Sequence, residues 1–324
     1  MERFIFVAAI VFAVIFGLVA MVGGGGRHFH FDIDGRTDPV MAVAAGHTPA
    51  QTFTGEELRF KYLAAHVTIT PEDRQDVSIE ITNPGHAPMP TVVRDGEDIV
   101  VDGHLANRVD CDEADGADLR GYSRVSLADL PQIVVHTPRT LHVDYDGAGL
   151  AEIGPSQSLH LEVSGCGGAN AADVAEALEV DVRGSGRVQA GAAHSLNADV
   201  MGSGGLTTGA IADGAYVSVF GSGSVTVASV TGTLKSGSHG SGDVTVSAGT
   251  ITNAEFDLFG SGGATVTAPI QRLKASIHGS GDVEVHGAVG DVDASIFGSG
   301  SVHATSITGA IHKETMGSGD VSAD

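Results

Sequence analysis

Two His–Asp pairs carry the residue types that acid–base chemistry uses: His239 with Asp243, and His278 with Asp282, each bracketing a Gly-Ser-Gly turn. An imidazole beside a carboxylate can pass a proton to or from a substrate. Covalent catalysis needs a third group, and no residue stands at a matching position. The serines of these turns recur in eight copies, whereas a nucleophile is one residue activated by its own base. The turn between the two pairs has Phe259 and Gly263 at the matching places. The pairs therefore sit two strand spacings, about 10 Å, apart. We expect no catalytic residues.

Metal chemistry has two candidates. His28, His30, Asp32 and Asp34 fall on one side of a strict alternation, with Phe29, Phe31 and Ile33 on the other. Two imidazoles and two carboxylates suit a divalent transition metal. An amphipathic strand near a membrane surface explains the same pattern, and flexible flanks would preorganise a metal site poorly. Asp243, Asp282 and Asp320 follow three of the Gly-Ser-Gly turns. Calcium-binding β-rolls need a glycine-rich acidic motif at every half-turn; here it comes about once in nineteen residues. Neither a metal nor another cofactor is expected.

Binding chemistry concentrates in the residue just before each turn. From the third copy on these are Arg183, Met201, Phe220, His239, Phe259, His278, Phe297 and Met316. By strand parity they point outward, where Met201 to Met316 would form an exposed apolar ladder of the kind that marks a partner surface. A corner can also turn them inward, and as bulky plugs of a core otherwise made of Val and Ala they need no partner. Corner packing is the default expectation and the ladder its alternative. Cys111 and Cys166 lie in turn-like contexts, Asp-Cys-Asp and Gly-Cys-Gly. They form either one disulfide, which an exported chain would favour, or two free thiols.

The elements that must position these residues repeat. Ten Gly-x-Gly turns start at Gly147, Gly165, Gly184, Gly202, Gly221, Gly240, Gly260, Gly279, Gly298 and Gly317, in steps of 18–20 residues. A fixed period of that size marks a stacked architecture. Counting back from the first glycine, positions two, four and six are mostly Val, Leu, Ile, Ala or Phe, and the odd positions mostly polar. That alternation is one β face inward and one outward. A second apolar pair follows most turns, as in Val225/Val227 and Val283/Val285. Each repeat thus supplies two short strands, with glycine at the corner where positive φ is needed. Stacking buries what one coil cannot, and the expected fold is an all-β, parallel β-solenoid. The one helical-looking stretch outside the N-terminal segment is Ala171 to Ala177.

The GSGDV copies at Gly240–Val244, Gly279–Val283 and Gly317–Val321 resemble the repeat of the bacterial auto-transporter adhesin, head GIN domain family. The likeness covers roughly residues 130–324, and Leu130–Gly149 is similar to that family's lead-in. It implies a right-handed β-solenoid of pectin-lyase-like stacking, no established catalytic residues and an adhesive role. Gly205 and Gly263, and the acidic insertion around Cys111, depart from the pattern.

Net charge is −23, aromatics are 5% and Trp is absent. Such a surface repels phosphate backbones, which excludes nucleic acid as a partner. Phe4 to Val22 is nineteen residues without a charge, long enough to cross about 30 Å of hydrocarbon as a helix. The expected organisation is an anchor or signal segment over 1–27, a linker over 28–50, an irregular β-rich cap over 51–145 and the solenoid over 146–324. The expected location is the cell envelope, with the solenoid in the periplasm or outside the cell. A glycan or an envelope protein is the expected partner, and the oligomeric state is open. A polysaccharide-cleaving β-helix is the competing reading, with a protein-binding scaffold as a third. The enzyme would cluster acids on one strand face at one level of the stack, and the Asp and Glu residues read as spread along the length.

Overall fold

The structure, a computed structural model, describes residues 42–106, 109–110, 116–119 and 124–324. These form parallel coils wound about a narrow apolar core. We number the coils by their corner glycine, from coil 1 at Gly147 to coil 10 at Gly317. The strand before each corner pairs in register with its counterpart one coil on. The residue before the turn therefore runs Met201↔Phe220↔His239↔Phe259↔His278↔Phe297↔Met316. The strand after each corner does the same, as in Val225↔Val244↔Ala264↔Val283↔Val302. A third, shorter ladder closes each coil, for example Ile251↔Ile270↔Val289↔Ile307; the two-strand reading of the repeat missed it.

The corner is a backbone device. At Gly279 φ is +140°, and a Cβ there would lie 2.1 Å from the carbonyl oxygen of Gly260 in the coil before. Only glycine lets the chain turn that tightly against its neighbour. The Ser280 amide donates to that same Gly260 oxygen at 2.8 Å, so each turn is bonded to the one before it. Inside, Val182, Val219, Phe256, Ile277 and Ile296 are buried. Ser238 is also interior, and its hydroxyl donates to the Gly242 carbonyl at 2.7 Å. Ala171 to Ala177 is not helical: Gly168–Ala171 and Val174–Gly184 are strands, with a bulge between Val174 and Ala177. The β pairing of the adjacent coils overrides that segment's alanine-rich composition.

The opening end is built out of sequence order. Strands β1 (Gly46–Phe53), β2 (Glu57–Pro71), β3 (Val77–Asn83), β4 (Thr91–Asp95) and β5 (Asp98–Asp102) come first. Then come β6 (Val109–Asp110), β7 (Gly116–Leu119), β8 (Arg124–Ser126), β9 (Gln132–Thr137) and β10 (Thr140–Ile153). The boundary expected at residue 146 falls inside β10. β2 forms a coil in front of coil 1, with Leu63, Ala64 and Ala65 paired to Gly147, Ala148 and Gly149. Its other edge is covered by β5 and β9, which β4 and β3 cover in turn, and β1 lies on β3. Five strands thus close an edge that would otherwise template aggregation.

β6, β7 and β8 form a separate small sheet. Leu119 and Val125 there, with Leu130 just after β8, join Ala64 and Ala148 in a second apolar cluster, against which Cys166 packs. Cys166 is in a disulfide, and Cys111, the one other cysteine, lies outside the described residues. So do the His28–Asp34 tract and the Phe4–Val22 segment. Among the described residues, no helix is long and apolar enough to cross a membrane.

Candidate functional site: an exposed ring ladder

Parallel, in-register pairing fixes what the column before the turns can be. Outward side chains on successive coils are held one strand spacing apart, about 4.8 Å, so flat rings at this position must stack face to face. They do. Phe220, His239, Phe259, His278 and Phe297 stack at centroid distances of 4.9, 4.8, 4.7 and 5.0 Å, with interplanar angles of 2–6°. Met201 and Met316 flank the stack.

The expectation of corner packing is corrected by exposure. Met201, Phe220, Phe259 and Phe297 are 42–44% exposed and Met316 69%; His239 and His278 are exposed as well. The corner is too tight to admit a side chain, because its inner space is filled by backbone of the coil before, so parity prevails. Ring faces cover one another and ring edges meet solvent. A face-to-face sandwich of like rings is disfavoured by their quadrupoles. Alternating Phe with His avoids it, and an imidazolium between two phenyl faces would gain cation–π attraction from both. Asp257, two residues before Phe259, stands beside the stack. Burial, then Glu255, holds its carboxyl above the ordinary range, while Lys274, His239 and His278 pull the other way.

The His–Asp pairs do not assemble a proton relay. Asp243 accepts from the Gly263 amide at 2.8 Å, and Asp282 accepts from both the amide and hydroxyl of Ser301 at 2.7 Å. Asp320 takes the Lys313 ammonium at 2.7 Å. Each carboxylate ties one coil to the next or closes a turn. Among the described residues, no three His, Cys, Asp or Glu side chains group as metal ligands.

Two features were missed from sequence. First, acidic residues are not evenly spread. Asp144, Glu162, Asp181 and Asp199 are register partners on four successive coils. Three are engaged: Arg59 donates to Asp144 at 3.4 Å, Arg183 pairs with Glu162, and His160 meets Asp181 at 3.4 Å. Burial, followed by Glu162, holds the Asp144 carboxyl above its usual range against the pull of Arg59. The signal was available, since each lies three before its glycine, but it shows only when the copies are aligned by coil. Second, a trench of about 500 Å³ runs along five coils between two outward columns. One wall includes Asn253, Arg272 and Asp291, the other Lys235, Glu255, Lys274 and Asp293.

A family model described as "Putative auto-transporter adhesin, head GIN domain" matches residues 76–210 and 208–289. The chain belongs to that family. At the level of that description, the GIN-type solenoid is an adhesin-like module. No curated protein matches it in sequence. Among solved structures it is similar to a putative adhesin from Parabacteroides distasonis ATCC 8503, at 12% identity and TM-score 0.44, over 87% of this chain and 99% of that one. It is also similar to a putative adhesin from Parabacteroides merdae ATCC 43184, at 12% identity and TM-score 0.42, over 86% and 95%. A third is a putative lipid binding protein from Parabacteroides distasonis ATCC 8503, at 16% identity and TM-score 0.42, over 87% and 98%.

Proposed function

We propose that this chain is a non-enzymatic, adhesin-like binding module of the cell envelope, held at the membrane by Phe4–Val22, whose contact surface is the ladder from Met201 to Met316. The carrying observation is five exposed rings stacked on a rigid parallel scaffold. Large apolar side chains were left outside on five of seven successive coils, with His239 and His278 on the other two. Exposed, contiguous apolar stripes of this kind mark interaction sites. Preorganisation adds to the reading: stacked neighbours restrict the rings, so little side-chain freedom remains to be lost on binding. The engagement of Asp144, Glu162 and Asp181 by basic partners uses those carboxylates as charge partners, which favours binding over hydrolysis.

The test replaces Phe220, Phe259 and Phe297 together by Ser. Melting should be almost unchanged, while retention on envelope fractions and on a glycan array should fall at least tenfold. Undiminished retention would remove the ladder from the function, and product release from a polysaccharide would replace the binding reading with the enzyme.

A further inference from the structure

Between Arg187 and Lys313 the chain carries nine acidic side chains and three basic ones, Lys235, Arg272 and Lys274. All three cations line the one trench. Glu255 is shared by two of them: Lys274 reaches it at 2.7 Å and Lys235 at 3.4 Å. Arg272 spends its Nε–H on the neutral Asn253 amide oxygen at 2.9 Å. Its register neighbour Asp291 accepts from the Ala310 amide at Oδ1, 2.9 Å away, and makes no ion pair with Arg272. The guanidinium therefore keeps donors to offer, in a chain whose overall field repels free anions.

The walls decide what kind of anion fits. Leu234, Ala254, Leu273 and Val292 make the floor, and none is more than 3% exposed. Even so, the exposed lining is mostly apolar, from the stems of the wall residues over that floor, with amide, carboxylate and cationic groups around it. An acyl chain would use the apolar lining but leave the Asn253, Asp291 and Asp293 acceptors without donors, whereas a sugar ring uses both. Its hydroxyls donate to those acceptors, and its small apolar face rests on the lining. The trench runs along the stack for five coils, about 19 Å at the usual strand spacing, and its volume lies in the range of small-ligand clefts.

We propose that this trench binds an acidic oligosaccharide lengthwise, with a carboxylate on Arg272 and Lys274 and hydroxyls on the Asn253, Asp291 and Asp293 walls. The proposal rests on the reading of the chain as a binding module and names a ligand class for it at a second surface. Arg272 is the planar donor that a carboxylate meets with two parallel hydrogen bonds. Asp291 and Asp293, one coil beyond, repel a second carboxylate and so set the ligand's direction.

The full chain would be titrated at low ionic strength with carboxylated oligosaccharides (trigalacturonate, an alginate trimer and a hyaluronate tetrasaccharide). A neutral galactose trimer and octanoate are the controls. At least one acidic oligosaccharide should bind, and both controls should bind at least tenfold more weakly. The double variant Arg272→Gln, Lys274→Gln should weaken binding at least tenfold with unchanged melting, because both side chains are exposed. Phe259→Ser should leave this affinity as it is. Equal affinity for the neutral trimer or for octanoate overturns the proposal, as does indifference to the double variant. If no acidic oligosaccharide binds while ladder-dependent retention on envelope fractions persists, the trench assignment falls alone. Loss of both overturns the binding-module reading as well.

Discussion

Coils 1 to 3 and coils 5 to 9 share one corner geometry and place opposite chemistry at it. Before the turn, the early coils carry Asp146, Ser164 and Arg183, and the later ones Phe220, His239, Phe259, His278 and Phe297. Inside the turn, the early coils start with Ala148 and Cys166, which the small β6–β8 sheet covers or packs against. The later coils have serine there, exposed to solvent. The difference teaches that the corner itself is neutral. Where the chain docks part of itself on the corner, at coils 1 and 2, the flanking residues are charged or small; rings stand only at free corners, those of coils 5 to 9, while the free corner of coil 3 carries Arg183.

The harshest way to break the comparison is at the backbone both regions share. Gly279→Val in coil 8 places a Cβ 2.1 Å from a backbone oxygen at a φ of +140°. We expect it to cost about 4 kcal/mol or more, read in chemical denaturation. In coil 2 the corresponding Cβ at Gly165 would stand 3.0 Å from the Gly147 oxygen, so Gly165→Val should cost clearly less. Equal losses would mean that the Gly279 corner is no tighter than the Gly165 corner.

Phe256 and Phe259 lie three residues apart on one strand and differ in side. Phe256→Ala should cost about 3–5 kcal/mol, the usual toll of emptying a buried phenyl site. Phe259→Ser should stay within about 0.5 kcal/mol, as exposed substitutions do. A large loss at Phe259 would show that the ladder is structural after all.

Repeat spacing foretold the stacking, the inward columns and the parallel sheet because each depends on local alternation and a glycine every nineteen residues. The opening end was beyond it: β2 meets β10 across about 84 residues, and no periodic signal connects Leu63 with Gly147. The ladder residues were named from sequence, but their direction was not. Parity said outward, and the preference for burying phenyl groups said inward. What decided it was the carbonyl of Gly260 filling the corner. The trench was missed because its walls differ from coil to coil, so no single repeat displays it.

Cys166→Ser separates the two regions directly. It removes the disulfide at the docked corner and should cost about 2–4 kcal/mol. Hydrogen exchange should quicken in β7, β8 and coils 1 and 2, while coils 5 to 9 keep their protection, because a solenoid's coils support mainly their neighbours. Loss of protection spreading evenly to coil 9 would instead make the stack one cooperative unit.

The smallest effect is the one that gives the two regions opposite responses to acid. In coil 1, burial raises the Asp144 carboxyl, with Glu162 adding to it, and burial raises Asp146 as well. A carboxyl that holds its proton more tightly folded than unfolded gives stability that is fully present below the ordinary value of 3.8 and is lost as pH rises through the raised one. In coil 7 the Lys274 hydrogen bond lowers Glu255. Its contribution is present above the ordinary value of 4.5 and is lost as pH falls through the lowered one. Acidifying from neutral toward pH 4.5 should therefore strengthen protection around Asp144 and, once the raised Asp257 carboxyl on the same strand is removed by Asp257→Asn, leave the strand of Glu255 unchanged. Further acidification should weaken the latter. Hydrogen exchange corrected for its intrinsic pH dependence reads both, and Asp144→Asn should flatten the first slope without touching the second. A slope at coil 1 that survives Asp144→Asn and persists when Asp146→Asn is added would move the acid response away from these carboxylates.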